Sequence, residues 1–183
     1  MMSRFIPKSF NLKNGNTVLI REAEPDDAED LLNCIKIYIP QSDYVPKLEE
    51  EIKATVDQER DLIQSFLNYD NSILLVAESD GRIIGNIDLM GSRRKIMEHT
   101  AVIGMGMIEE WRNSGLGTAL LGSLIDWAKV NPILELIWLQ VYAENQLGLG
   151  LYKKMGFEDN GVIENFFKWE GKYSHQITMS LKV

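Results

Sequence analysis

The residues best suited to chemistry lie in the run Met107-Ile108-Glu109-Glu110-Trp111-Arg112-Asn113-Ser114-Gly115-Leu116-Gly117-Thr118. A buried strand ends here, a polar turn follows, and a long helix begins within a glycine-spaced stretch. Helix starts leave backbone N–H groups without partners and carry partial positive charge. Glycines let the backbone come close to an anion. A pyrophosphate suits such a cradle, and Arg112 adds a charge-assisted contact. Two well-defined phosphate loops do not fit. No Gly-x-x-x-x-Gly-Lys-Ser/Thr occurs, and Leu120 stands where a Gly-x-Gly-x-x-Gly fingerprint starting at Gly115 needs its third glycine. Gly104 and Gly106 lie inside the preceding strand and fail the same pattern. Taken alone, the two glycines suit a plain tight turn with a helix cap as well as they suit a phosphate cradle.

The spacing Arg-x-x-Gly-x-Gly at Arg112, Gly115 and Gly117 resembles the coenzyme-A signature of the GNAT superfamily of acyltransferases. A second run, from Asn145 through Gly148, Leu151 and Tyr152 to Gly156-Phe157, resembles that family's Asn-x-x-Ala-x-x-Leu-Tyr-x-x-x-Gly-Phe motif. The two occur in the family's order, separated by one helix and one strand. The tail, Lys168 to Tyr173 and then Ile177 to Met179, resembles the closing hairpin of many members. The resemblance runs from about Thr17 to Leu181.

The resemblance implies roles. The amides of Asn113, Ser114, Gly115, Leu116, Gly117 and Thr118 would hold the pyrophosphate of acetyl-CoA. The strand ending at Met107 and Ile108 would pair with the pantetheine arm, and an amide near Met107 or Ile108 would polarise the thioester carbonyl. Asn145 would bond the pantetheine or orient the site. Tyr152 would protonate the leaving thiolate, a task that suits a phenol because it keeps its proton at neutral pH.

Two departures stand out. Gly148 replaces the family's Ala, which weakens a helix by up to about 1 kcal/mol, and Gly150 adds to this. His99-Thr100-Ala101-Val102 resembles a His-Thr-Ala-Glu segment whose Glu is a candidate base, but Val102 accepts no proton. His99, Glu98, Asp88 or a water chain are the substitutes. An attacking amine must be neutral, so a cationic acceptor has to lose a proton first. Cys34 reads as a small packed residue, Trp111 as packing under the turn, and Glu109 and Glu110 as solvent-facing. Asp43 and Tyr44, with Phe166, Phe167, Trp169 and Tyr173, are candidates to line an acceptor cleft.

These residues need elements to position them. Thr17 to Arg21 reads as a first strand after a turn at Asn14-Gly15. Pro25 opens a helix whose stripe runs from Ala28 to Ile39 and stops at Pro40. Residues 40–56 are weakly periodic, and a second helix carries Leu62, Ile63, Phe66 and Leu67. Ser72 to Ala77 and Ile83 to Met90 read as strands about Asp80-Gly81. Ala101 to Ile108 reads as a strand buried on both faces, because no polar residue alternates along it. A helix after Gly115, a strand from Leu136 to Tyr142, a helix over Gln146 to Met155, and a hairpin of Asn165 to Trp169 with Tyr173 to Leu181 complete the chain. The order β-α-α-β-β-β-α-β-α-β-β is an α+β, mixed α/β fold. The resemblance implies a GNAT-type central mixed sheet flanked by helices. No linker or repeat divides the chain, so a single domain over residues 1–183 is expected.

Composition narrows the class. The 183 residues are 45% hydrophobic and 25% charged, which excludes disorder and fibrous structure. Net charge −8 argues against phosphate-driven nucleic-acid binding, and Arg93-Arg94-Lys95 reads as a solvated loop. A single cysteine excludes an intrachain disulfide and every multi-cysteine zinc pattern, so no metal is expected. Met1 to Pro7 shows no leader, and the longest apolar run is far too short for a bilayer. Taken with this composition, the resemblance implies a cytoplasmic N-acetyltransferase using acetyl-CoA as co-substrate and a small-molecule or peptide amine as acceptor, and it leaves a homodimer open. A CoA-binding sensor or interaction module without catalysis is the alternative. A different nucleotide-binding α/β protein is a third reading.

Overall fold

A computed structural model describes residues 5–183; Met1 to Arg4, where the absence of a leader was read, lie outside the described residues. Eight strands form one sheet in the order β1-β2-β3-β4-β5-β6-β8-β7. The strands are β1 (Lys8–Asn11), β2 (Thr17–Glu22), β3 (Ile73–Ser79), β4 (Arg82–Gly91), β5 (Thr100–Met107), β6 (Leu136–Tyr142), β7 (Glu158–Trp169) and β8 (Lys172–Lys182). The helices are α1 (Ala28–Tyr38), α2 (Val56–Leu67), α3 (Leu116–Val130) and α4 (Gln146–Lys154). The mixed α and β architecture read from the sequence is present. The strand β1, missed because it alternates polar residues, pairs antiparallel with β2 about Gly15, which has φ +86°. The closing hairpin is longer than expected and begins at Glu158 rather than Asn165.

Each helix forms where local chemistry and an apolar stripe agree. Pro25 starts a single 3-10 turn rather than the helix itself, with Asp27 bonding back to the amide of Glu24. The second helix opens on a capping box, Thr55 accepting from the amide of Gln58. In α3, Leu116, Leu120, Leu121 and Leu124 are fully buried against the sheet. Leu31 and Ile63 bury α1 and α2 in the same core.

Both faces of β5 are covered, as expected, and no residue from Ala101 to Ile108 is exposed. Gly106 would place a Cβ only 2.3 Å from the Tyr38 ring of α1, so that face looks toward α1. Met105 and Met107 reach the other face, their Cε atoms within 4.0 Å of where a side chain on Gly117 of α3 would begin. The apolar run lacks polar alternation because glycines, not polar residues, occupy the α1 side.

One irregularity opens the sheet. β5 pairs with β4 from Ala101 to Met107, but with β6 only at Thr100, Ala101 and Val102, in parallel. Among the described residues, β5 from Ile103 onward has no strand on its β6 side, and β6 beyond Trp138 has none on its β5 side.

Candidate active site

The ladder alternation shows which backbone groups of β5 face this gap. Ser92 donates to the Thr100 carbonyl and Ile108 to the Ile84 carbonyl, each at 3.0 Å. In an antiparallel pair bonded residues alternate, so even-numbered residues of β5 are turned to β4 and odd-numbered ones to the gap. Met105 and Met107 therefore present their amides and carbonyls to the open side. Of the two residues expected to polarise a carbonyl, Ile108 is corrected, since its amide is already engaged by Ile84. Met105 was missed, because only strand register reveals it.

The turn after β5 leads to α3. Asn113 and Gly115 both take positive φ, +60° and +100°, conformations that glycine adopts without strain. They fold the chain so that the first turn of α3 opens outward. The first helix-type bond here is Ala119 to the Gly115 carbonyl. The amides of Gly117 and Thr118 have no partner among the described residues, and that of Leu116 has only a 3.4 Å contact to Ser114 Oγ. Ser114 is buried and donates its hydroxyl to the Trp111 carbonyl at 2.6 Å, which fixes the turn. Trp111 is buried beneath it, and Glu109 and Glu110 are exposed, as expected. Arg112 does not reach into the open turn alone: its Nη1 donates to the Gln41 carbonyl at 2.8 Å and ties the α1–α2 linker to this loop.

α4 is packed against α3. A side chain on Gly117 would meet Leu151 at 3.2 Å, and one on Gly122 would meet Met155 at 3.6 Å. Asn145 caps α4, its Oδ1 accepting from the Gly148 amide at 2.9 Å. A Cβ on Gly148 would lie 2.7 Å from Asn145 Nδ2, so glycine there makes room for this cap. Tyr152 is half-buried, lies edge-on to Phe157 with ring centres 5.9 Å apart, and its hydroxyl bonds to nothing among the described residues. Burial pushes the phenol up to about 12.

The candidate bases separate by place. Glu98 is exposed in the turn before β5, and His99 sits at the end where β5 and β6 are paired. Asp88 of β4 is the register partner of Gly104, beyond the point where the strands part. Cys34 is buried, and loss of solvent pushes its thiol up to about 12, which makes it inert at neutral pH.

Aromatic residues gather on the α1 side of the gap. Val102 and Trp138 are register partners, so Trp138, Gln140 and Tyr142 continue the face of Val102. Tyr142 stacks on Phe167 with centres 3.7 Å apart, Tyr44 lies 5.9 Å from Tyr142, and Phe166 meets Phe167 edge-on at 5.0 Å. Tyr142 was not foreseen. Trp169 and Tyr173 are exposed farther out on the hairpin, and neither has a ring contact with this group. No group of three or more His, Cys, Asp or Glu could hold a metal among the described residues, and no helix there is long and apolar enough to cross a membrane.

Comparison with known proteins fits this geometry. Residues 19–157 match the model of the acetyltransferase (GNAT) family. The L-amino acid N-acetyltransferase AaaT of Escherichia coli is 30% identical over 99 residues, a match spanning 54% of this chain and 61% of that protein. A GNAT-family acetyltransferase from Streptococcus pneumoniae superposes with a TM-score of 0.85 at 30% identity, covering 91% of this chain and 99% of that one. The acetyltransferase yncA of Salmonella typhimurium, solved with acetyl-CoA, shares the fold with a TM-score of 0.80 at 16% identity over 90% of this chain and 93% of that one. The chain belongs to the acetyltransferase (GNAT) family and is an acyltransferase.

Proposed function

We propose that this protein transfers an acetyl group from acetyl-CoA to a primary amine by direct attack within one ternary complex. The opening between β5 and β6 carries the reading. It offers unpaired strand groups beside a helix start with free amides, the shape a pantetheine arm and its pyrophosphate require. The amides between Asn113 and Thr118 take the pyrophosphate, those of Gly117 and Thr118 foremost. Arg112 lends its charge while holding the linker. Met107, with Met105, turns an amide toward the thioester carbonyl, where a fixed donor stabilises developing negative charge. Asn145 keeps its amide NH2 free for the arm while its oxygen caps α4.

Tyr152 serves the leaving sulfur. A thiol's ordinary value is about 8.5, so a phenol at about 12 favours keeping its proton. It therefore acts mainly by donating a hydrogen bond to the departing sulfur, with proton transfer completed as the nitrogen loses its own. Cys34 takes no part, which leaves no acyl-cysteine route.

A thermal-shift comparison tests the cosubstrate. Saturating acetyl-CoA or CoA should raise Tm by about 5 °C or more, as ligand at 100 times Kd contributes about 2.7 kcal/mol. NAD and ATP at equal concentration should shift it far less. A larger shift with NAD or ATP than with CoA would overturn the reading in favour of another nucleotide-binding α/β protein.

A further inference from the structure

Val102 leaves the acceptor side of β5 without the carboxylate that its position suggests, and β4 supplies one next to it. Asp88 and Gly104 are register partners, so their side-chain positions share a face, and Val102 lies two residues along on that face. Gly104 has no side chain, and Asp88 fills the vacated space: a Cβ on Gly104 would lie 2.7 Å from Asp88 Oδ1. The neighbouring pair repeats the arrangement, with Tyr38 lying over Gly106 and donating its hydroxyl to Asn86 Oδ1 at 3.2 Å. Two strand glycines thus admit two polar side chains from other elements onto the floor of the acceptor side. Asp88 has no cationic partner among the described residues.

We propose that Asp88 is the general base that takes the proton from the acceptor ammonium, replacing the carboxylate absent at Val102. This rests on the acetyl-transfer reading above. The Asp88 carboxylate removes one proton from the ammonium. The freed lone pair of nitrogen forms the N–C bond to the thioester carbonyl carbon, and the C–O π pair moves onto oxygen. That pair returns as the C–S bond breaks, and the bonding electrons leave on sulfur. Nitrogen loses its second proton, sulfur gains one, and Asp88 later releases its own to water. Ammonium and acetyl-CoA become the N-acetyl amine, CoA thiol and one proton.

The electrostatics agree. Burial pushes the Asp88 carboxyl up to about 7, against the pull of the backbone amides of Asp88 and Gly104. The titratable group coupled to Asp88 is Tyr38 on α1, which is coupled in turn to Cys34 on α1 and Glu59 on α2. Burial raises Tyr38 and Cys34 well above neutrality and raises Glu59 as well. Of these groups Asp88 is the carboxyl seated over Gly104 on the β4–β5 face, so the proposal assigns the acidic limb of activity near neutral pH to it. A base poised near the working pH is the effective one.

The test uses the full chain with acetyl-CoA and a panel of primary amines that includes hydroxylamine, which is neutral at pH 7. Asp88→Asn should lower kcat for cationic amines by about 100-fold or more and abolish the rise of kcat/KM with pH around 7. It should leave CoA affinity within about twofold and spare hydroxylamine, which needs no prior deprotonation. Gly104→Ala, which crowds the same carboxylate without removing it, should lower kcat while keeping the acidic limb, and it stands in if Asp88→Asn does not fold. If Asp88→Asn keeps both turnover and the acidic limb, or if Gly104→Ala leaves kcat unchanged, Asp88 is not the base while acetyl transfer stands. If the wild-type chain acetylates no amine in the panel, the underlying reading falls and the assignment with it.

Discussion

In the proposed mechanism Tyr152 and Asp88 divide the proton work, and burial drives both upward in pKa with opposite consequences. A raised phenol stays protonated throughout the neutral range and remains a donor. A raised carboxyl changes state where the enzyme works. Tyr152→Phe removes the donor while keeping the ring against Phe157, so kcat should fall by about 10- to 100-fold with CoA affinity within about twofold, read by steady-state kinetics and calorimetry. Unchanged kcat would remove Tyr152 from the chemistry. Tyr152 and Asn145 were legible because a linear motif names them. Met105 and Tyr142 were not, because their place depends on which strand pairs with which and in what register. Asp88 was visible only as one of several substitute bases, beside His99 and Glu98, until register set it over Gly104. Gly104 and Gly106, discarded as a nucleotide fingerprint, carried that information in another form: glycine inside a strand signals close approach by something else.

Among the elements, α1 matters because it covers the acceptor side, and an ion cluster sets its entry. Arg21 of β2 donates to both Asp27 oxygens at 2.7 and 2.8 Å and to Glu78 of β3 at 2.9 Å. Burial alone would raise the Asp27 carboxyl, but the Arg21 guanidinium and the Glu24 amide outweigh it and hold it below the ordinary value. A depressed carboxyl stabilises the fold above its unfolded value of about 3.9, and that contribution fades as pH falls through the lower folded value. Arg21→Met should cost about 1–3 kcal/mol at pH 7, and the difference from wild type should shrink below about pH 4. Urea denaturation at both pH values measures it, and a gap that stays constant would contradict the account. Helix positions were readable because their 3.6-residue stripes and caps are local. Strand β1 was not, since its alternation is polar and its partner gives it its place. The unpaired edge of β5 was legible only through resemblance, since pairing is a property of two strands.

For the whole molecule, net charge −8 and a polyanionic cosubstrate look opposed. The proposal reconciles them, because it has backbone amides at the start of α3, not a basic patch, meet the phosphates. On the same proposal a carboxylate, Asp88, is left to face the other substrate, which suits a cationic amine. The family match ends at Phe157, just before the β7–β8 hairpin that brings Phe167 onto Tyr142. The most direct measurement incubates the full chain with acetyl-CoA and the amine panel, recording thiol release and the acetylated amine by mass spectrometry. The account predicts thiol release that depends on amine, equals the N-acetyl product mole for mole, and rises with pH through about 7. Tight CoA binding with no amine-dependent thiol release across the panel would contradict it and leave a CoA-binding module without catalysis.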